Sequence, residues 1–406
     1  MSLDLDAVYR DLHANPELSF QEHRTAGVVA EALGRFGFDV TTGIGRTGVV
    51  GVLENGEGPT VLLRADMDGL PVLEATGLPY ASTARGTDPD GHDVPVMHAC
   101  GHDVHVTCLL GAGERLVADR GSWTGTLVVL FQPAEEWGGG AQAMVDDDLY
   151  GRVPTPDVVL GQHVGPFPAG FAAVHAGVAM AAADSLTVHL HGAGGHGSRP
   201  ETTVDPVYLA AATTMRLQGI VARELAATDA AVVTVGQLHA GTKHNIIPAE
   251  ATLGLSVRSF DEHVRTKVLA SIERIVKAEA AASGAPREPE IVFDEGFPLT
   301  VNEPAATERT AAALRAALGD DRVIDPGVVS GSEDVGILAS AAGVPLVYWF
   351  LGGADPSLFG DALVTGRMPD DIPSNHSPHF APLIDPTLEA GVVALVAAAR
   401  EWLGRA

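Results

Sequence analysis

The sequence predicts an α/β sandwich layer with a largely parallel sheet, interrupted by a small α+β insertion. Short, continuously apolar runs alternate with helical patterns along most of the chain, as expected of strands buried on both faces. Between about residues 181 and 293 the order changes to strand, helix, strand, strand, helix, strand, the split βαβ arrangement of an α+β domain. Patterns of the first kind then resume, and 406 residues exceed what one hydrophobic core ordinarily supports. The expected divisions are 1–180 and 294–406 for the two parts of the main domain and 181–293 for the insertion.

The elements follow in order. Leu5, Val8 and Leu12, then Val28, Val29, Leu33 and Phe36, have helical spacing, interrupted by the turn Asn15-Pro16 and ended near Gly34 and Gly37. Apolar strands are expected at 48–53, 60–64, 126–131, 158–163 and 346–351, and their ends are where functional groups gather in such a sheet. Within the insertion, strands are expected at 185–191, 230–238, 251–257 and 288–293, and helices at 204–224 and 261–282. An amphipathic helix over 388–403 closes the chain. The Ala-rich stretch 179–183 reads as a hinge.

Composition narrows the function classes. Against 52 acidic residues stand 25 basic ones, a net charge of −27, and Lys243, Lys267 and Lys277 are the only lysines, so a nucleic-acid partner is not expected. No apolar run reaches the ~18 residues of a membrane span, and the N-terminus lacks a basic region followed by an apolar core, so a cytoplasmic protein without a membrane partner is expected. Cys100 and Cys108, the only cysteines, are too few for a disulfide framework.

Chemistry-bearing residues cluster at the expected strand ends. In Met97-His98-Ala99-Cys100-Gly101-His102-Asp103 a thiol and an imidazole lie two residues apart with a carboxylate beside them, ligand types suited to a borderline divalent metal. Phe131-Gln132-Pro133-Ala134-Glu135-Glu136 ends an apolar strand in two acids, which suits one ligand and one general base. His163 closes another strand, and His376 sits in the turn Ser374-Asn375-His376-Ser377-Pro378. Cys100, His102, Glu136, His163 and His376 make five protein ligands, one more than a tetrahedral site takes, so two metal ions with Cys100 as the candidate bridge are expected. Such ions would acidify a bridging water whose proton Glu135 takes and then delivers to the leaving amine. Asp66 and Asp68, in Arg64-Ala65-Asp66-Met67-Asp68, are expected behind the ligands, either one holding a ligand imidazole in its tautomer.

Gly192-Ala193-Gly194-Gly195-His196-Gly197 in the insertion formally matches a dinucleotide-binding loop, but Pro200 hinders an immediate helix and no acid lies about 20 residues on. His196 instead suits an imidazole aimed at a developing oxyanion. Asn245 and Arg258 are donors at strand margins, suited to a substrate carbonyl and a carboxylate.

These motifs resemble the M20 metallopeptidase family, and within it the aminoacylase-like branch of hippurate hydrolases, N-acetyl-amino-acid deacetylases and auxin-conjugate hydrolases. The resemblance runs from His13-Ala14-Asn15-Pro16-Glu17-Leu18 through 64–71, 97–105, 131–136, His196, 245–248 and 331–334 to His376-Ser377-Pro378. It implies an α/β/α metallopeptidase catalytic domain with a ferredoxin-like lid that mediates homodimerisation in relatives. It also implies Cys100, His102, Glu136, His163 and His376 as ligands of two divalent ions (Zn, Mn, Co or Ni), Glu135 as general base, and His196, Asn245 and Arg258 brought to the active site from the lid. Asp66 stands where the classical peptidases of the family have a metal-binding His, a loss for which this branch compensates with Cys100, and His244 stands where branch members more often have a small residue. The expected activity is cleavage of N-acyl amino acids (acetyl, benzoyl or a similar acyl group) to a carboxylic acid and a free amino acid. The alternatives are a dipeptidase of the same family and a catalytically silent metal-binding homologue.

Overall fold

A computed structural model of the chain describes residues 3–360, 369 and 371–405. The chain divides into two compact units, one of Met1–Ala179, Val301–Val328 and Asp334–Ala406, the other of Met180–Thr300 and Val329–Glu333.

The first unit is built on a sheet whose strands run in the order Asp39–Ile44, Gly48–Asn55, Trp123–Gln132, Thr60–Asp66, Val158–Pro168, Leu346–Ala354, Ala172–Ala173, Val323–Ile324. The four central strands, from Trp123–Gln132 to Leu346–Ala354, are mutually parallel. Their sequences dictate this position: Val61, Leu62, Leu63, Leu127 through Phe131, Val158, Val159 and Leu160 are all fully buried, which requires cover on both faces. Helix His102–Ala118 supplies part of that cover and packs against helices Leu5–Ala14 and Thr387–Trp402. Cys108 belongs to this core, its thiol 3.6 Å from the Leu388 carbonyl oxygen.

The sheet is mixed rather than parallel throughout. Asp39–Ile44 and Gly48–Asn55 form an antiparallel hairpin, and Gly48–Asn55 pairs antiparallel with Trp123–Gln132. Only residues 45–47 join the hairpin strands, whereas a parallel crossover needs a dozen residues or more.

The second unit is a four-stranded antiparallel sheet in the order Ala231–Ala240, Glu250–Ser259, Ala182–His191, Glu290–Phe297, carrying helices Pro206–Leu217 and Glu262–Ala282. Alternate residues of Glu250–Ser259 (Ala251, Leu253, Leu255, Val257) face a core completed by Val188, Leu209, Val268 and Ile272. Asp205 and Asp261 cap the two helices, each carboxylate accepting backbone N–H groups of the first turn. The first helix is shorter than its apolar pattern predicts: it ends at Leu217, beside Gly219, and a separate π turn covers Ile220–Glu224. The last strand runs beyond residue 293, because Phe297 still pairs with Ala183. Ala181 N–H, at the Ala-rich stretch, donates to the carbonyls of Val329 and Gly331, which ties 329–333 to this unit. Among the described residues no helix is long and apolar enough to cross a membrane.

Candidate metal centre

The first unit delivers its donors from four segments. Cys100 and His102 flank Gly101, which adopts a left-handed φ of 83° and packs so closely that a Cβ there would lie 2.3 Å from Val164 Cγ1. Only glycine admits that approach, so the thiol and the imidazole converge at the start of helix His102–Ala118. Past the strand end at Gln132, Ala134 is also left-handed (φ 48°) and turns Glu135 and Glu136 inward. Gly140 completes this loop at a point where a Cβ would lie 1.6 Å from the Pro133 carbonyl oxygen. His163 does not end its strand, which runs on to Pro168. His376, left-handed at φ 70°, donates its backbone N–H to the Ala99 carbonyl at 2.8 Å.

These segments bring all five sequence-predicted metal ligands together. Donor atoms of Cys100, His102 and Glu136 lie within 4.8 Å of one another. His163 Nε2 stands 3.5 Å from Cys100 Sγ, and His376 Nε2 stands 3.2 Å from Glu136 Oε1. Glu135 Oε2 is 4.0 Å from His102 Nε2, so the expected base faces the same space as the expected ligands. Asn375, which sequence reasoning passed over, fastens the cluster: its Nδ2 donates to the carbonyls of Cys100 (3.1 Å) and Val164 (3.0 Å). Its position beside His376 was the available signal.

The tautomers are set from behind. His102 Nδ1 donates to Asp68 Oδ1 at 3.1 Å, leaving Nε2 buried without a hydrogen-bond partner among the described residues. His163 Nδ1 donates to the Val164 carbonyl at 2.8 Å, which leaves the Nε2 lone pair toward Cys100. Asp68 also accepts the backbone N–H groups of Glu135 (3.2 Å) and Glu136 (3.1 Å) and the Ser19 hydroxyl (2.7 Å). Asp66 has different partners: Arg64 at 2.5 Å and His105 Nδ1, with Oδ2 3.7 Å from His102 Nε2. His105, three residues after His102, reaches the cluster but spends both nitrogens, the second accepting Val164 N–H at 2.7 Å. Buried Arg64 further binds Gln132 and Asp334, and Asp334 caps Ala141 N–H.

The electrostatics fit a cation. Burial opposes the charged form of His102, yet Asp66, Asp68 and Glu136 together raise its pKa to about 10. Burial, then the charges of Glu136, Glu135 and Asp66, push the Cys100 thiol well up. Burial and the neighbouring His105 keep His163 neutral, its pKa well below the ordinary value. An unpartnered imidazole nitrogen, a thiol and several carboxylates gathered out of water carry surplus negative potential, which divalent cations would neutralise and which would bring the thiol to thiolate.

Further from the donors, His13 Nδ1 meets Asp103 at 2.6 Å and its Nε2 meets Glu74 at 3.1 Å. Burial lowers the His13 pKa, but the two carboxylates outweigh it and hold the ring charged, its pKa at about 10. This clasp joins the first helix to the residue after His102.

His196, Asn245 and Arg258 belong to the second unit. His196 pairs with Ile246 in a short antiparallel ribbon, and Gly197 N–H donates to the Asn245 carbonyl at 2.9 Å, so these two predicted residues are neighbours. His196 Nδ1 accepts Ser198 N–H at 3.1 Å, which leaves Nε2 to carry the proton in the neutral ring. Arg258, half-buried in Glu250–Ser259, donates to the Ser332 hydroxyl.

The family model described as Peptidase family M20/M25/M40 matches residues 62–401. The chain belongs to this family. Two relatives of the M20 chain are "Thermostable carboxypeptidase 2" of Saccharolobus solfataricus, 38% identical over 85% of this chain and 84% of the relative, and "N-acyl-L-amino acid amidohydrolase" of Geobacillus stearothermophilus, 39% identical over 73% and 80%. A similar solved structure is the Bacillus subtilis YXEP protein, titled a dinuclear metal binding peptidase from the M20 family. It is 26% identical at a TM-score of 0.76 and covers 98% of each chain. The M20 fold thus accounts for both the sheet and the buried donor cluster beside it.

Proposed function

We propose that this M20 chain hydrolyses N-acyl amino acids to a carboxylic acid and a free amino acid, with Cys100, His102, Glu136, His163 and His376 holding two divalent ions. The observation that carries the reading is the position of Glu135: a second, buried carboxylate 4.0 Å from an unpartnered imidazole nitrogen of the donor cluster, its backbone held by the same Asp68 that orients that imidazole. The names of relatives add weight, one of them an N-acyl-L-amino acid amidohydrolase.

When bound, the ions polarise the amide carbonyl and acidify water. Glu135 takes a proton from the attacking water on a carboxylate oxygen and returns it to the amine nitrogen as the C–N bond breaks. Asp68 fixes the Glu135 backbone and so the point from which its side chain reaches the donor cluster. His196, whose Nδ1 accepts Ser198 N–H, is assigned to the developing oxyanion, Asn245 to the substrate carbonyl and Arg258 to the α-carboxylate. A homodimer through the second unit fits its exposed edge strand Ala231–Ala240, where Val232 and Leu238 face solvent. Two unpaired cysteines fit a reducing, cytoplasmic setting.

Elemental analysis of purified protein, followed by amine release from a panel of N-acetyl and N-benzoyl amino acids, tests the reading. Failure of metal-loaded protein to release amine from any of them overturns it. The carboxypeptidase relative favours a second reading, cleavage of peptides, and rates on an acyl amino acid against a matching dipeptide with a free amino terminus separate the two.

A further inference from the structure

Among the described residues, five that are not glycine have a left-handed backbone: Phe20, Arg46, Ala134, Asp148 and His376. Such conformations persist only where their surroundings enforce them, and they gather at functional sites. Two of the five bond to one side chain, and the neighbour of a third does too. Glu22 is fully buried, and its Oε1 accepts the backbone N–H groups of both Phe20 (2.9 Å) and Ala134 (2.8 Å). Its Oε2 accepts the hydroxyl of Thr47 at 2.5 Å, the residue after Arg46. The Arg46 guanidinium in turn lies 4.2 Å over the Phe20 ring.

What Glu22 braces is not incidental. Ala134 immediately precedes Glu135, and the direction of its left-handed turn decides where that carboxylate points. Phe20 and Arg46 wall a cavity of about 460 Å³ that also touches Glu136 and Trp137. Asp68 grips the loop by the N–H groups of Glu135 and Glu136, and Glu22 grips it one residue earlier. Without the Glu22 acceptor, a buried Ala134 N–H loses its partner and the turn loses the contact that offsets its strain.

We propose that Glu22 is a positioning residue for Glu135, its buried carboxylate holding the left-handed Ala134 in register with the cavity wall of Phe20 and Arg46. The proposal rests on reading Glu135 as the general base. Glutamine keeps an Oε1 that accepts from both N–H groups, whereas methionine has similar length and only a weakly accepting sulfur, so geometry can be separated from burial.

The test uses full-length, metal-loaded enzyme. If the unaltered enzyme releases no amine from any N-acyl amino acid, the functional reading falls whatever Glu22 does. With an active enzyme, kcat, KM, metal content and melting temperature are compared for Glu22→Met, Glu22→Gln and a core control, Val29→Ala. Glu22→Met is expected to lower kcat by about a hundredfold with KM within about threefold and metal content unchanged, as misplacement of a reacting group does. Glu22→Gln is expected to restore kcat to within about threefold, and Val29→Ala to lower the melting temperature without lowering kcat. Unaltered kcat in Glu22→Met, loss of its metal, equal damage in Glu22→Gln, or a kcat loss that follows melting temperature in both Glu22→Met and Val29→Ala each overturns the proposal. Should Glu22→Met not fold, Glu22→Asp, which withdraws the acceptor by one methylene, carries the same expectation of lowered kcat at unchanged KM, and an unaltered kcat there is equally fatal.

Discussion

Asp68 holds His102 by Nδ1 at 3.1 Å and the backbone of Glu135 and Glu136 by their N–H groups, so one carboxylate sets an imidazole tautomer and the placement of two acids. Replacing it with alanine leaves the His102 tautomer free and removes an acceptor from two backbone donors. Metal affinity, measured by competition with a chelator, is expected to fall roughly 10- to 100-fold. Affinity equal to that of the unaltered protein would remove Asp68 from this role.

Glu135→Gln keeps the shape of the site and removes the proton acceptor. The expected result is a fall in kcat of about 10²- to 10⁴-fold with metal content retained. Rapid turnover by the variant in the N-acyl amino acid panel would rule out Glu135 as the base.

Cys100 Sγ stands 3.5 Å from His163 Nε2 and shares a donor group with His102 and Glu136. Cys100→Ala should therefore lower the bound metal from two ions toward one or none by elemental analysis, a loss that Cys108→Ala, in the core beside Leu388, should not reproduce. Peroxide followed by thiol and metal should abolish and then restore activity, because a thiolate ligand is oxidisable. Full activity with Cys100 verified as oxidised contradicts the assignment.

Arg64 is fully buried between Asp66 and Asp334. Arg64→Ala removes the guanidinium that balances two buried carboxylates, and urea unfolding should record a loss of ~3–5 kcal/mol. A loss under ~1 kcal/mol would mean that the pairing contributes little.

His13 carries a stability dependence with a definite sign. Its pKa, about 10 in the folded state, lies above the ordinary 6.5 because Asp103 and Glu74 outweigh the effect of burial. The folded state therefore holds more protons between these values, and the contribution is complete below 6.5 and lost as pH rises through 10. Thermal melts of the unaltered protein should decline across that alkaline interval more steeply than those of His13→Gln. Parallel curves would show that the clasp is not charged.

The alternation of apolar runs and helical patterns was enough for the α/β layer and the split βαβ insertion, because burial on both faces of a parallel sheet demands unbroken apolar strands such as Val61 to Leu63. The antiparallel pairing of Asp39–Ile44 with Gly48–Asn55 was not legible, since it depends on the length of one turn, 45–47, whose ends the apolar pattern leaves vague. Donor types were legible because thiol, imidazole and paired carboxylates next to strand ends carry their chemistry in their identity. Which support serves which donor was not. Asp66 and Asp68 are alike on paper, and only the three-dimensional arrangement gives His102 to Asp68 and His105 to Asp66. Glu22 and Asn375 lie 112 and 275 residues from the backbone groups of Ala134 and Cys100 that they hold. Hydrogen bonding acts over about 3 Å in space and leaves no periodic trace along a chain, so the sequence by itself determined which chemistry was present and tertiary structure alone decided which groups aim it.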